Sequence, residues 1–254
     1  MTKHVSLVGL ALAAAAGCGM NASGYLDAGT WTPKLNASAL RLSAPALDLV
    51  SGAGVPEDDS FWTFDASIQI AGSAEHGPCA LNFGYFRHVY SGNSAAGFDF
   101  AGATLTGPVH TDADLSLYKF AYEEPQTSGQ GERRGGYIGI HVLDFDIKAA
   151  EVGGGTVRRF RDSAPMLVFG WRIAYMSDQD LMYYFSVEAM DLGLITIENV
   201  KGTVLDTSVG ARWMIYNKVA LSVGYRQYDA RLDMRDDRLD VKMEGVNYSF
   251  FMTW

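Results

Sequence analysis

The sequence is short of cysteine: among 254 residues there are two, Cys18 and Cys79. Two thiols cannot build a disulfide framework or a four-ligand zinc site. Basic residues are also few, with 20 Lys+Arg against 29 Asp+Glu and a formal charge of −9. Nothing basic enough to release counterions from a phosphate backbone is concentrated anywhere, which argues against nucleic acid as a partner. Beyond the N-terminal segment no run approaches the ~18 apolar residues that a spanning helix needs. Heptads and repeats of 20–50 residues are lacking too. Charged residues make up only 19% of the chain, whereas hydrophobic residues reach 48%, too many for a disordered chain. A mean hydropathy near zero does not mean a soluble protein, because a membrane strand that alternates polar and apolar residues averages the same.

Near the N-terminus, Lys3 precedes the apolar stretch Val5–Ala16, followed by small residues. That is the anatomy of a secretory signal peptide, too short to cross a membrane as a helix. Cleavage after Ala22-Ser23-Gly24 leaves Tyr25 as the mature start, while Cys18 after Ala15-Ala16-Gly17 offers a lipoprotein site. The expected organisation is a signal peptide over residues 1–24 and one domain over 25–254. If processing removes Cys18, Cys79 is a lone thiol.

The remaining chain alternates with period two, in runs that predict strands with two different faces. Trp62, Phe64, Ala66, Ile68 and Ile70 interleave with Thr63, Asp65, Ser67 and Gln69. Similar runs cover 81–86, 135–149, 163–176, 181–192, 203–215, 219–229 and 243–254, and two weaker ones cover 34–43 and 113–123. That makes about ten strands, with eight or twelve left open. Connections alternate between short ones (72–78, 177–180, 216–218) and long polar ones (44–60, 91–112, 150–162, 230–242). Such alternation predicts an all-β fold: a transmembrane antiparallel up-and-down β-barrel with short periplasmic turns and longer extracellular loops. Tyr122, Tyr137, Tyr175, Tyr183, Trp213 and Tyr216 fall at strand ends beside the short turns, where a membrane-interface girdle belongs. Phe61, Trp62, Tyr90, Phe145, Phe160 and Tyr228 are expected to form the opposite girdle, beside the long loops.

The signal peptide, the alternating runs and the ending Tyr248-Ser249-Phe250-Phe251-Met252-Thr253-Trp254 together resemble Gram-negative outer-membrane β-barrel proteins. The resemblance implies residence in the outer membrane, with its lipid and lipopolysaccharide as surroundings. It also implies an assembly signal at Tyr248, Phe250, Met252 and Trp254, read by the barrel-assembly machinery. No cofactor or metal is implied.

If the apolar series faces lipid, the other series faces the lumen. It carries Asp65, Gln69, Asn82, Lys119, His141, Arg172, Glu188, Asp206, Arg212, Arg226 and Asn247 among many Gly, Ala and Ser. Charges in a narrow barrel must be paired or solvated. Ten strands enclose little more than the eight-stranded size that side chains can fill. The expectation is an occluded polar lumen crossed by an Arg–carboxylate network, with acidic loops such as Glu57-Asp58-Asp59 and 229–240 outside. The corresponding function is non-enzymatic: a structural or surface-interaction barrel. Alternatives are a narrow channel for small solutes, a hydrolase at the rim built on His88 or His110, and a secreted soluble β-barrel binder. Neither Gly153-Gly154-Gly155, which lacks a following Lys-Ser/Thr, nor the Asp233–Asp240 cluster, which lacks calcium-loop spacing, carries a site of its own.

Overall fold

The computed structural model describes residues 22–42, 47–48, 52–54, 61–70, 79–128, 132–177, 180–191, 200–234 and 237–254. Most of the leader with Cys18, the acidic run at 57–59 and His76 lie outside the described residues. Ala22, Ser23 and Gly24, just before the cleavage point read from sequence, open the first strand.

Ten long strands follow one another: β1 (Ala22–Leu42), β2 (Phe61–Ile70), β3 (Cys79–Ser94), β4 (Val109–Ser128) and β5 (Glu132–Glu151). They continue as β6 (Val157–Met176), β7 (Leu181–Asp191), β8 (Val200–Tyr216), β9 (Val219–Met234) and β10 (Asp237–Thr253). Each pairs antiparallel with its neighbour in sequence, and β10 returns to β1, from Tyr25↔Thr253 to Leu42↔Asp237, which closes a ten-stranded barrel. Closure satisfies every strand's outer hydrogen-bonding edge, the condition for backbone to cross hydrocarbon without a helix. Both β1 and β10 place their free ends on one side, together with the short turns.

Several strands are far longer than a membrane requires. β4, β5 and β6 have 20 residues each, about twice the ~9–11 of a tilted spanning strand. Their alternation explains the excess, because it reverses sign part-way along. On β9, Val219, Leu221, Val223 and Tyr225 face outward while Ala220, Ser222, Gly224 and Arg226 face the lumen. Beyond that point Gln227, Asp229 and Arg231 face outward, and Tyr228, Ala230 and Leu232 are buried inside. β10 does the same: Val246, Tyr248, Phe250 and Met252 are exposed outside near the termini, and Leu239, Val241 and Met243 are buried inside at the far end. On β5 the inward series passes from Gly135, Tyr137, Gly139 and His141 to Leu143, Phe145, Ile147 and Ala149. In the terminal half the surroundings are hydrocarbon, so apolar residues point out. In the distal half the surroundings are water, so apolar residues turn inward and build an ordinary core.

Two sequence expectations are corrected here. Of the segments expected as long loops, 150–162 and 230–242 are mostly strand, since β5 runs to Glu151, β6 starts at Val157, β9 runs to Met234 and β10 starts at Asp237, whereas 91–112 keeps a long connection between Ser94 and Val109. Their outward residues are polar because water surrounds them, which makes the sequence look like loop. The first strand is not 34–43 but begins at Ala22, since Ala28, Thr30 and Thr32 give its outer face too little apolar contrast.

Trp31, Phe86, Tyr90, Leu117, Phe145, Met166 and Tyr228 lie at the heart of the distal core, each almost wholly buried. Trp31 meets Phe61 and Phe86 edge to face at 5.2 and 5.8 Å between ring centres. The expected second girdle is therefore a misreading: Phe61, Tyr90, Phe145 and Tyr228 sit inside the barrel, and of that set Trp62 is the ring standing out to the surroundings. Tyr85, Tyr118 and Tyr225 join Trp62 at the upper edge of the apolar band. In the β3–β4 connection a small hairpin pairs Asp99–Phe100 with Ala103–Thr104. Its centre, Ala101 and Gly102, has φ of 47° and 74°, the left-handed pair that a tight hairpin turn demands. The hairpin region delivers Phe100 and Leu105 into the core, and Ala53 is buried with them.

Candidate functional site: the lumen

Period-two alternation aims one residue in two at the barrel axis, and in the terminal half those residues are charged or small, with the rings of Tyr25, Tyr137, Tyr184 and Phe251 among them. Lys119 on β4 reaches across to the opposite wall, where Nζ donates to Glu188 Oε2 on β7 at 2.6 Å and to Asp206 Oδ2 on β8 at 2.5 Å. Arg226 on β9 donates through Nε and Nη2 to the two oxygens of Asp206, at 3.0 and 2.6 Å. His141 Nε2 lies 3.1 Å from Glu188 Oε2, and the Tyr137 hydroxyl donates to Glu188 Oε1 at 2.8 Å. Arg226 also lays its guanidinium 5.0 Å from the Trp31 ring centre and 5.6 Å from that of Phe86. It therefore marks the border where the polar half meets the apolar core.

Two more struts lie nearer the termini. Arg172 on β6 donates from Nη1 to the Tyr25 hydroxyl on β1 at 2.7 Å and lies 3.5 Å from Glu123 Oε2. Asn82 Nδ2 donates to the same Glu123 oxygen at 2.8 Å. Arg212 on β8 donates from Nη2 to Asp27 Oδ2 on β1 at 2.8 Å, with its guanidinium 4.0 and 4.6 Å from the Phe251 and Tyr184 ring centres. Glycine makes room for these long side chains. A Cβ on Gly84 would come within 2.6 Å of Asp65 Oδ1 and 3.1 Å of Lys119 Cδ.

Of the eight lumen residues expected from sequence, Lys119, His141, Glu188, Asp206 and Arg226 share one cluster. Arg172 and Arg212 belong to the separate struts, and Asp65 lines the cavity beside Lys119. Sequence reasoning missed Tyr25 and Asp27, because β1 was placed too late in the chain. It also missed Glu123, at the last residue of a weak run. Tyr137 is corrected: expected in the membrane girdle, it is buried in the lumen over Gly170, its cross-strand partner, where a Cβ would meet its ring at 2.1 Å. Parity held the signal, since Tyr137 shares its face with Gly139 and His141, not with Ile138. The other girdle residues, Tyr122, Tyr175, Tyr183, Trp213 and Tyr216, all stand on the outer surface. Tyr248, Phe250 and Met252 also face outward, and the Trp254 backbone N–H donates to Gly24 O at 3.2 Å.

The two rim histidines do not converge. His88 points inward, with its ring 4.8 Å from Phe61 and 3.8 Å from Tyr90. His110 points outward, with Nδ1 2.9 Å from Asn93 Oδ1 and Nε2 3.2 Å from Asp112 Oδ1. At the distal end, Glu151 accepts from the Thr106 N–H at 2.6 Å and the Thr156 N–H at 2.7 Å. These backbone donors hold its carboxyl below the usual carboxylate range. Among the described residues no group of three or more His, Cys, Asp or Glu could hold a metal ion.

No protein-family model matches the chain, and no curated protein sequence matches it. Solved structures do. The outer-membrane protease OmpT from Escherichia coli aligns over 92% of this chain and 96% of its own, at 8% identity and a TM-score of 0.53. Ail, the attachment invasion locus protein of Yersinia pestis, covers 91% of this chain and 99% of its own at 10% identity, with a TM-score of 0.33. The translocator domain of the autotransporter NalP from Neisseria meningitidis covers 96% and 95% at 11% identity, with a TM-score of 0.39. At such identities the likeness is one of fold. With its closed ten-stranded sheet and its apolar outer band, the chain has the fold of a transmembrane β-barrel.

Proposed function

We propose that this barrel is a non-conducting, non-enzymatic outer-membrane protein that carries a rigid folded body on the cell surface. The observation behind this reading is the apolar plug: Trp31, Phe86, Leu117, Phe145 and Tyr228 fill the distal half from wall to wall, with Phe100 and Leu105 added from the hairpin. An aqueous path needs polar lining, and a close-packed apolar core offers none. The role is then one of anchorage and surface contact, with the distal outer wall and turns as the interacting parts. Lipopolysaccharide in the outer leaflet and the barrel-assembly machinery are the partners that this role entails.

Planar-bilayer recording of the purified, refolded protein tests the reading. Bilayers are expected to stay silent at voltages where a porin control conducts. Discrete ohmic steps that change when Arg172 or Arg212 is replaced would establish a channel through the lumen and overturn the proposal.

A further inference from the structure

On the outer wall, β1 forms the floor of a cleft. Its outward residues Ala28 and Thr30 are small, and each lies between large rings on both neighbouring strands. Ala28 pairs with Phe64 of β2 and Phe250 of β10, and Thr30 pairs with Trp62 and Tyr248. The recess between these two ridges has a volume of about 760 Å³ and continues around the wall past Val223 and Ala211. It lies across the seam that closes the barrel.

The cleft is continuous with the apolar band, so hydrocarbon is what reaches it. Lipid tails are as apolar as its walls, and selection there must come from fit and from the headgroup. Fit comes from the two ridges. For the headgroup, the outward face of β1 climbs from Thr30 through Thr32 to Lys34, beyond the level of Trp62. Around Lys34 the charges of the wall are matched to one another. Glu244, directly opposite Lys34, lies 3.1 Å from Lys242 Nζ. Asp229 lies 3.4 Å from Arg231, and Arg238, further up, is shared by Asp240 at 3.1 Å and Asp233 at 4.0 Å. Lys34 is exposed and has no ion pair among the described residues. Its long stem can carry the ammonium down to the headgroup layer, where basic side chains attract anionic lipid.

We propose that the cleft holds one acyl chain of a lipopolysaccharide molecule of the distal leaflet, whose phosphate meets Lys34. The lipid spans β10, β1 and β2 and so staples the closing seam from outside. This inference rests on the outer-membrane placement in the reading above, and not on the silence of the lumen.

Native mass spectrometry of the full chain, refolded in a maltoside detergent, tests it. The probes are bis-phosphorylated lipid A, its phosphate-free form and phosphatidylethanolamine. One bis-phosphorylated lipid A per barrel should survive activation that strips the other lipids. Thr30→Trp fills the cleft and should abolish that retention, whereas Ala189→Trp, equal bulk on the outward face of β7, should leave it intact. Lys34→Gln should weaken it by about fivefold, and only for the phosphorylated form. Lys34 is a surface side chain, so this variant keeps the heat-dependent gel shift of a closed barrel even if Thr30→Trp does not fold. Retention that ignores both Thr30→Trp and Lys34→Gln, or that falls equally in Ala189→Trp, would mean that lipid coats the band without a site and would sink the proposal. Stronger retention of phosphatidylethanolamine, or a dimer that Thr30→Trp dissolves, would give the cleft to another occupant and overturn it too. None of these outcomes depends on conductance, so the surface role and this site stand or fall separately.

Discussion

Lys119 holds two buried carboxylates with one ammonium. Isolated ions in such a place cost several kcal/mol each, and breaking a buried pair costs more than the pair is worth, because the orphaned charge stays behind. Replacing Lys119 by Met leaves Glu188 without its ammonium and leaves Asp206 to Arg226 alone. The expected loss is about 3–5 kcal/mol, read as a lower urea midpoint for the heat-dependent gel shift. The double variant Lys119→Met/Glu188→Gln should recover part of that loss, and a single variant as stable as the parent would mean that solvent already screens the cluster. At this scale the sequence was largely readable. Asp65, Lys119, His141, Glu188, Asp206 and Arg226 follow from parity alone, since each shares its face with glycine, alanine or serine. Tyr137 was not readable from position along the strand, because a ring near a strand end suits an interface equally well. Its place over Gly170 depends on the register of two strands, which one-dimensional spacing does not supply.

Along a single strand, the informative event is the reversal of alternation. It predicts opposite sensitivities at neighbouring positions of β5. Leu143→Ala in the distal core should cost about 2–5 kcal/mol, whereas Lys148→Ala on the exposed distal wall should stay within about 0.5 kcal/mol. The same unfolding measurement checks both, and equal effects would contradict an inward core there. Ends of elements carry their own prediction. Glu151 ties the segment before β4 to the β5–β6 turn through the Thr106 and Thr156 amides, and its folded pKa lies below the ordinary carboxyl value. The stabilisation is therefore present above the unfolded pKa and lost as pH falls through the folded one. Protection of the amides in 105–107 and 152–156, taken against intrinsic exchange at each pH, should fall below about pH 4 and be low already at neutral pH in Glu151→Gln. Exchange that ignores both pH and the variant would remove the clamp from the account. Elements were half legible in the sequence. Each of the ten runs coincides with one strand over its described residues, to within one residue at the ends, yet their distal continuations were taken for loops, because a polar outer face in water and a loop in water have the same composition. Only the buried partners, Tyr228 with Ala230 and Leu232, or Leu239 with Val241 and Met243, distinguish them.

For the whole molecule, the two halves amount to a membrane protein and a water-soluble core stacked on one continuous sheet. In a Cys79→Ser background, Lys148→Cys and Lys242→Cys should react on intact cells with a membrane-impermeant maleimide, and Ile140→Cys and Tyr248→Cys should not. Labelling of all four, or of none, would put the membrane elsewhere on the barrel. The seam between β1 and β10 adds a constraint of a different kind, one of timing. It joins the two ends of the described chain, from Tyr25↔Thr253 to Leu42↔Asp237, so the ring cannot shut until the last strand is delivered. Until then β1 presents an open ladder that any other strand could occupy, and contacts so remote in sequence form slowly. Whatever escorts the nascent chain must guard that first edge for the whole of synthesis and release it only to the final one.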